Sequence, residues 1–171
     1  MTSSCPSCGA ATPSEGGDFC EQCGTDLRRA QPATPTTAPP WEVRVIADQK
    51  YFDRVEADGV NFPVGATDRR FCLQRDRATI GRRSTSRGIY PDIDLSGPPI
   101  DSGVSHLHGV LVRGAGDSWA IVDPGSTNGI YLNDSLDAIP TDELVPVAEG
   151  DRIHIGAWTT LTLHSTASDD P

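Results

Sequence analysis

The sequence predicts an all-β protein. An antiparallel β-sandwich over residues 41–164 follows a small cysteine-rich module (residues 1–29) and a Pro/Thr-rich linker (residues 30–40), and a disordered tail (165–171) closes the chain. Three observations lead there. After Trp41 the chain is a series of short Val/Ile/Leu/Trp runs separated by turn signals every eight to twelve residues, with no sustained helical period. Before it lie two C-x2-C pairs in a Gly-rich stretch with almost no apolar residues. Between the two, four prolines fall within eleven residues.

The first module holds Cys5, Cys8, Cys20 and Cys23, two pairs separated by eleven residues and each followed by glycine, Gly9 and Gly24. Four thiolates in two such knuckles match a tetrahedral structural Zn2+ site, closed to water and therefore not hydrolytic. Phe19 and Leu27 cannot form a core. Metal binding, about 10–16 kcal/mol in comparable peptides, is expected to supply the folding energy. The module resembles a zinc ribbon. Its Glu15, Asp18, Glu21 and Asp26 outnumber Arg28 and Arg29, which weighs against nucleic acid as its partner.

The linker is semi-rigid and extended. Its threonines, Thr34, Thr36 and Thr37, are exposed candidates for phosphorylation. At about 3.1 Å per residue, Thr37 and Thr34 reach only about 12 and 22 Å back from Trp41. A phosphorylated linker is therefore expected to self-associate with other copies rather than fold back.

Residues 41–48 alternate apolar and polar and read as the first strand. Residues 48–70 fit no element and suggest a cover over one edge of the sandwich. Residues 71–73 and 78–80 flank a turn at Arg75-Asp76 and read as a hairpin, with Cys72 a buried core thiol. Ile93 and Leu95 mark a short strand. Residues 110–112 and 119–122 form a hairpin about Gly114 and Gly116. Asp123-Pro124-Gly125 then turns the chain into Ser126, and strands follow at 130–132, 145–147, 152–155 and 159–163. His154 and His164 read as strand surface.

Three segments at the edges of these runs carry the chemistry: Gly81-Arg82, Ser105-His106-Leu107-His108 and Thr127-Asn128-Gly129. A phosphothreonine carries about −1.5 to −2 charges and three acceptor oxygens. A guanidinium supplies charge and forked donors, and hydroxyls add short neutral donors. A carboxamide can grip the backbone of an extended ligand. In this order, between β runs, the three motifs resemble the forkhead-associated (FHA) domain, a phospho-motif reader. The resemblance spans residues 41–164. It implies that Arg82 and Ser105 hold phosphate, that Thr127 assists, and that Asn128 binds ligand backbone. Gly81, His108 and Gly129 would support the loops from below. Where the family often has an arginine after the motif serine, this chain has His106, a departure that bears on the strength and pH sensitivity of phosphate binding.

A net charge of −10 on 171 residues disfavours nucleic acid and anionic membranes, whose affinity comes from Lys and Arg. No apolar run suits a bilayer span, and the N-terminus has no secretory pattern, so a cytoplasmic protein is expected. Ser105 and its neighbouring histidines have no recognisable orienting group or oxyanion element, so no enzyme is expected. The expected function is a phosphothreonine-dependent adaptor in Ser/Thr kinase signalling. Its partners would be kinase substrates or the kinase itself. The alternatives are a scaffold that uses the same surface and the ribbon without phosphorylation, and a zinc-ribbon nucleic-acid protein.

Overall fold

The structure, a computed structural model, describes residues 3–4, 11–12 and 41–166. The chain divides into two units, Met1–Ala38 and Pro39–Pro171. In the first, strands β1 (Ser3–Ser4) and β2 (Ala11–Thr12) pair antiparallel, with Ser4 opposite Ala11. That pairing brackets Cys5 and Cys8 in sequence. The four cysteines themselves, residues 30–40 and residues 167–171 lie outside the described residues, and so do the expectations of a ribbon, an extended linker and a disordered tail.

The second unit is a sandwich of two five-stranded sheets. One contains β3 (Trp41–Ala47), β4 (Arg69–Leu73), β9 (Ile130–Leu132), β11 (Arg152–Ile155) and β12 (Thr159–Ser165), in the order β4-β3-β12-β11-β9. The other contains β5 (Arg77–Gly81), β6 (Ile93–Asp94), β7 (Gly109–Arg113), β8 (Trp119–Val122) and β10 (Val145–Val147), in the order β10-β8-β7-β5-β6. Alternate residues of each strand face the shared core, as the period of two requires. Val43 and Val45 from β3, Ile80 from β5, Leu111 from β7, Ile121 from β8 and Leu161 from β12 are all buried there.

Four local expectations are corrected. Residues 71–73 and 78–80 do not pair as a hairpin: β4 hydrogen-bonds to β3 and β5 to β7, so the turn at Arg75-Asp76 crosses from one sheet to the other. Both strands still present apolar residues to the same core, which is why they looked alike in sequence. Cys72 is exposed, because it alternates with the inward Phe71 and Leu73 on an edge strand. β6 runs parallel to β5, with Ile80 opposite Ile93 and Gly81 opposite Asp94, in a sandwich otherwise paired antiparallel among the described strands.

The fourth correction concerns residues 48–70, which hold a helix, α1 (Gln49–Val55). Asp48 caps it, its carboxylate accepting from the Tyr51 amide at 3.1 Å. The helix covers a face of the sandwich rather than an edge. Tyr51 stacks on His154 with ring centroids 4.6 Å apart, so His154 is only 2% exposed although it points away from the core between Ile153 and Ile155. Its Nδ1 lies 2.7 Å from the Thr160 hydroxyl, which donates to Asp48 at 3.1 Å.

Among the described residues no helix is long and apolar enough to cross a membrane.

Candidate phosphate-binding site

Three loops at one end of the sandwich carry the motif residues. The first leaves β5 at Gly81, the second joins β6 to β7, and the third joins β8 to β9. A side chain on Gly81 would sit 2.1 Å from the His106 carbonyl, so only glycine lets the second loop cross the first this closely. Backbone bonds then lock the crossing: the Arg82 amide donates to Ser105 O (3.1 Å) and the His108 amide to Ile80 O (2.8 Å).

This brings Arg82, Ser105, His106, Thr127 and Asn128 around one hollow of about 390 Å³, which Arg87 also lines. Ser105 Oγ lies 3.5 Å from Thr127 Oγ1 and accepts from the Thr127 amide at 3.2 Å. Arg82 spends its Nε on the Val104 carbonyl at 2.5 Å, and its terminal guanidinium nitrogens have no carboxylate partner among the described residues. Arg83, by contrast, is turned onto Asp94, its Nε 3.2 Å from the carboxylate, and so takes no part in the hollow. His106 donates from Nδ1 to the Arg82 carbonyl at 2.9 Å, which ties its ring to the loop. Asn128 Nδ2 donates to the Gly103 carbonyl at 2.8 Å, leaving its own carbonyl oxygen as an acceptor.

His108 sits beneath, fully buried. The Ser105 amide donates to its Nδ1 (2.9 Å), and its Nε2 donates to the Gly129 carbonyl (3.0 Å). One neutral ring therefore fixes the second loop to the third. Protonation would set two donors face to face at Nδ1. Burial pulls the pKa of His108 below the ordinary imidazole value, against the raising pull of the Gly129 carbonyl and of Asp123 and Asp101. Burial likewise lowers His154, opposed chiefly by Asp48.

The sign of the pH effect follows. Unfolded histidines take up protons near pH 6.5, while these two resist until lower pH. Between the two values the unfolded chain binds more protons, so their share of stability is complete above about pH 6.5 and shrinks as pH falls below it. The urea midpoint is therefore expected to drop between pH 7.5 and 5.5, a window above most carboxylate titration. An unchanged midpoint would refute the buried neutral state.

The third loop is shaped by Asp123, whose carboxylate accepts from the amides of Gly125 (2.9 Å) and Ser126 (2.6 Å) and from the Ser126 hydroxyl (2.9 Å). Gly129 then takes φ +77°, a left-handed conformation natural to glycine. The second loop depends on a residue that sequence reading missed, Asp101. It is 2% exposed and accepts from the amides of Gly103, Ala157 and Trp158 and from the Thr159 hydroxyl. Its Asp-Ser-Gly context signals a turn, but partners more than fifty residues away leave no local trace.

Residues 78–156 match the FHA domain family model. Over that segment the chain is similar to FHA domains. Its sandwich is similar in fold to the yeast splicing factor Pml1 (TM-score 0.54, 17% identity, 74% of this chain and 80% of that one). It is also similar to the FHA domain of an Arabidopsis thaliana hypothetical protein (TM-score 0.51, 21% identity, 83% and 97% covered). In sequence the chain is 35% identical over 94 residues to the glycogen accumulation regulator GarA of Mycolicibacterium smegmatis, covering 55% of this chain and 54% of that protein. The chain thus spans about half the length of this curated relative. All the motif residues around the hollow fall within the matched FHA segment; α1 does not.

Proposed function

We propose that this protein is a cytoplasmic adaptor that docks phosphothreonine-containing proteins in Ser/Thr kinase signalling. The observation that carries this reading is the composition of the hollow. Arg82, the Ser105 hydroxyl and the Thr127 hydroxyl and amide converge there, and no carboxylate lines it, in a chain of net charge −10. Such a pocket favours ligands whose one strong anion is a phosphate. Asn128, beside it, suits the backbone of an extended peptide. The likeness to a regulator, GarA, is consistent with binding rather than catalysis. The test is calorimetric titration with one threonine peptide in phosphorylated and unphosphorylated forms, on the protein and on its Arg82→Ala variant. Equal affinity for the two forms would move the reading to a phosphorylation-independent scaffold.

For the first unit we propose a structural zinc ion held by Cys5, Cys8, Cys20 and Cys23. The four-thiolate donor set suits zinc, and the β1–β2 pairing brackets the first two cysteines as a knuckle requires. Elemental analysis should return one zinc per chain. Chelation should release it without lowering phosphopeptide affinity, and a chain that binds no zinc as purified or after reconstitution would end this proposal.

A further inference from the structure

His106 has one ring nitrogen committed and one free. Nδ1 lies 2.9 Å from the Arg82 carbonyl, and a carbonyl oxygen only accepts, so Nδ1 carries the hydrogen. In the neutral ring Nε2 is then a bare lone pair, and it has no hydrogen-bond partner among the described residues. His106 is half-buried and lines the phosphate hollow. A phosphothreonine brings about −1.5 to −2 charges and oxygens that accept. Acceptor would meet acceptor unless Nε2 gains a hydrogen. We propose that His106 takes up a proton from solvent when a phosphopeptide binds, so that an imidazolium holds the phosphate and affinity rises as pH falls through neutrality. The proposal rests on the phosphothreonine reading and adds a form of regulation to that site.

The surroundings leave the ring without a fixed counter-ion. From the first loop, Arg82 and Arg87 line the hollow with it, while Arg83 is paired with Asp94. In its own loop the titratable neighbour is His108, buried beneath and held at both nitrogens by the Ser105 amide and the Gly129 carbonyl. The third loop lends Gly125, Thr127 and Asn128 to the lining, and its Asp123 is buried and spent on Gly125 and Ser126. No carboxylate lines the hollow, so the negative charge that an imidazolium pairs with arrives only with the ligand. A charge-assisted N–H bond to phosphate is about twice as strong as a neutral one, and it is gained only if the proton comes too. The ligand's own titration runs the other way. Its second proton leaves at about pH 6, and a hollow lined by two guanidiniums favours the dianion. The phosphate therefore releases protons on binding, whereas His106 takes one up.

The test is calorimetry on the full chain with one phosphothreonine peptide in Tris and in Pipes, two buffers of different ionisation enthalpy, so that the difference in heat counts protons. At pH 7.5 about half a proton or more should be taken up per peptide bound, and an uptake averaging about half a proton from pH 8.5 to 6.5 tightens binding about tenfold over that range. His106→Asn keeps a side-chain donor for the Arg82 carbonyl but cannot titrate, and His106→Arg carries a fixed charge. Both should bind without proton uptake, and neither should tighten as pH falls. The parent's own His106 signals in nitrogen NMR should turn from the neutral to the doubly protonated pattern on saturation with peptide at pH 7.5, a readout that needs no variant. The inference is overturned if the parent takes up no protons, if its His106 ring stays neutral in the complex, or if the uptake persists in both variants. Equal affinity for the phosphorylated and unphosphorylated peptide would instead reject the phosphothreonine reading, and this inference with it.

Discussion

Replacing Arg82 by alanine should weaken phosphopeptide binding about ten- to a hundredfold and leave the sandwich folded. A hydrogen bond to a charged group is worth roughly 1.5–3 kcal/mol, and every 1.4 kcal/mol is about a factor of ten in affinity. Arg82 lines the hollow, and its terminal guanidinium nitrogens have no carboxylate partner among the described residues, whereas the fold uses only the Arg82 backbone, through its amide to Ser105 O, and its Nε, through Val104 O. The variant therefore keeps the crossing of the first two loops and loses one side-chain bond within it. Arg87 lines the same hollow and still attracts phosphate, which sets a floor under the loss. Arg83→Ala is the natural control: its guanidinium is committed to Asp94, and its affinity should stay within about twofold, the effect of an ordinary exposed substitution of about 0.5 kcal/mol. Calorimetry with one phosphopeptide decides. If Arg82→Ala binds as the parent does, the phosphate is not read in this hollow.

How much of this was legible in the sequence depended on whether the controlling contact is local. The β runs were, because alternation survives in strands as short as Phe71-Cys72-Leu73. Strictly applied, the same alternation also predicts Cys72 on the outside, where it stands. The motif residues were legible because their types and order carry the pattern, and the third loop is shaped by its own chemistry: Asp123 folds back on Gly125 and Ser126, two and three residues on. Helix α1 was not. Within Gln49–Val55 only Tyr51 is buried, so no apolar stripe announces it, and a seven-residue helix is far below the length that is stable alone. Its cap, Asp48, was the one readable signal. His154 looked like strand surface because its neighbours Ile153 and Ile155 claim the core, and only the helix packed over it makes it buried.

Asp101→Ala is expected to be the most damaging single substitution for stability, at about 3–5 kcal/mol, the loss of several buried hydrogen bonds to one carboxylate. The carboxylate gathers the Gly103, Ala157 and Trp158 amides and the Thr159 hydroxyl, so its loss strands buried donors, each costing about 1–3 kcal/mol unless water reaches it. A domain of this size has only about 5–15 kcal/mol to lose. Asp101→Asn should recover little, because the carboxamide turns a donor toward amides that need an acceptor. The damage should also reach the site. The Asp101 carboxylate holds the Gly103 amide, and Gly103 in turn anchors Asn128 through its carbonyl. Urea unfolding should therefore show a lower midpoint with an unchanged slope, and the fraction still folded should bind phosphopeptide more weakly than the parent. A fully stable Asp101→Ala variant would mean that the turn between β11 and β12 is held by something other than this carboxylate. If the variant is destabilised yet retains parental affinity when folded, the second loop is set by His108 and Gly81 alone.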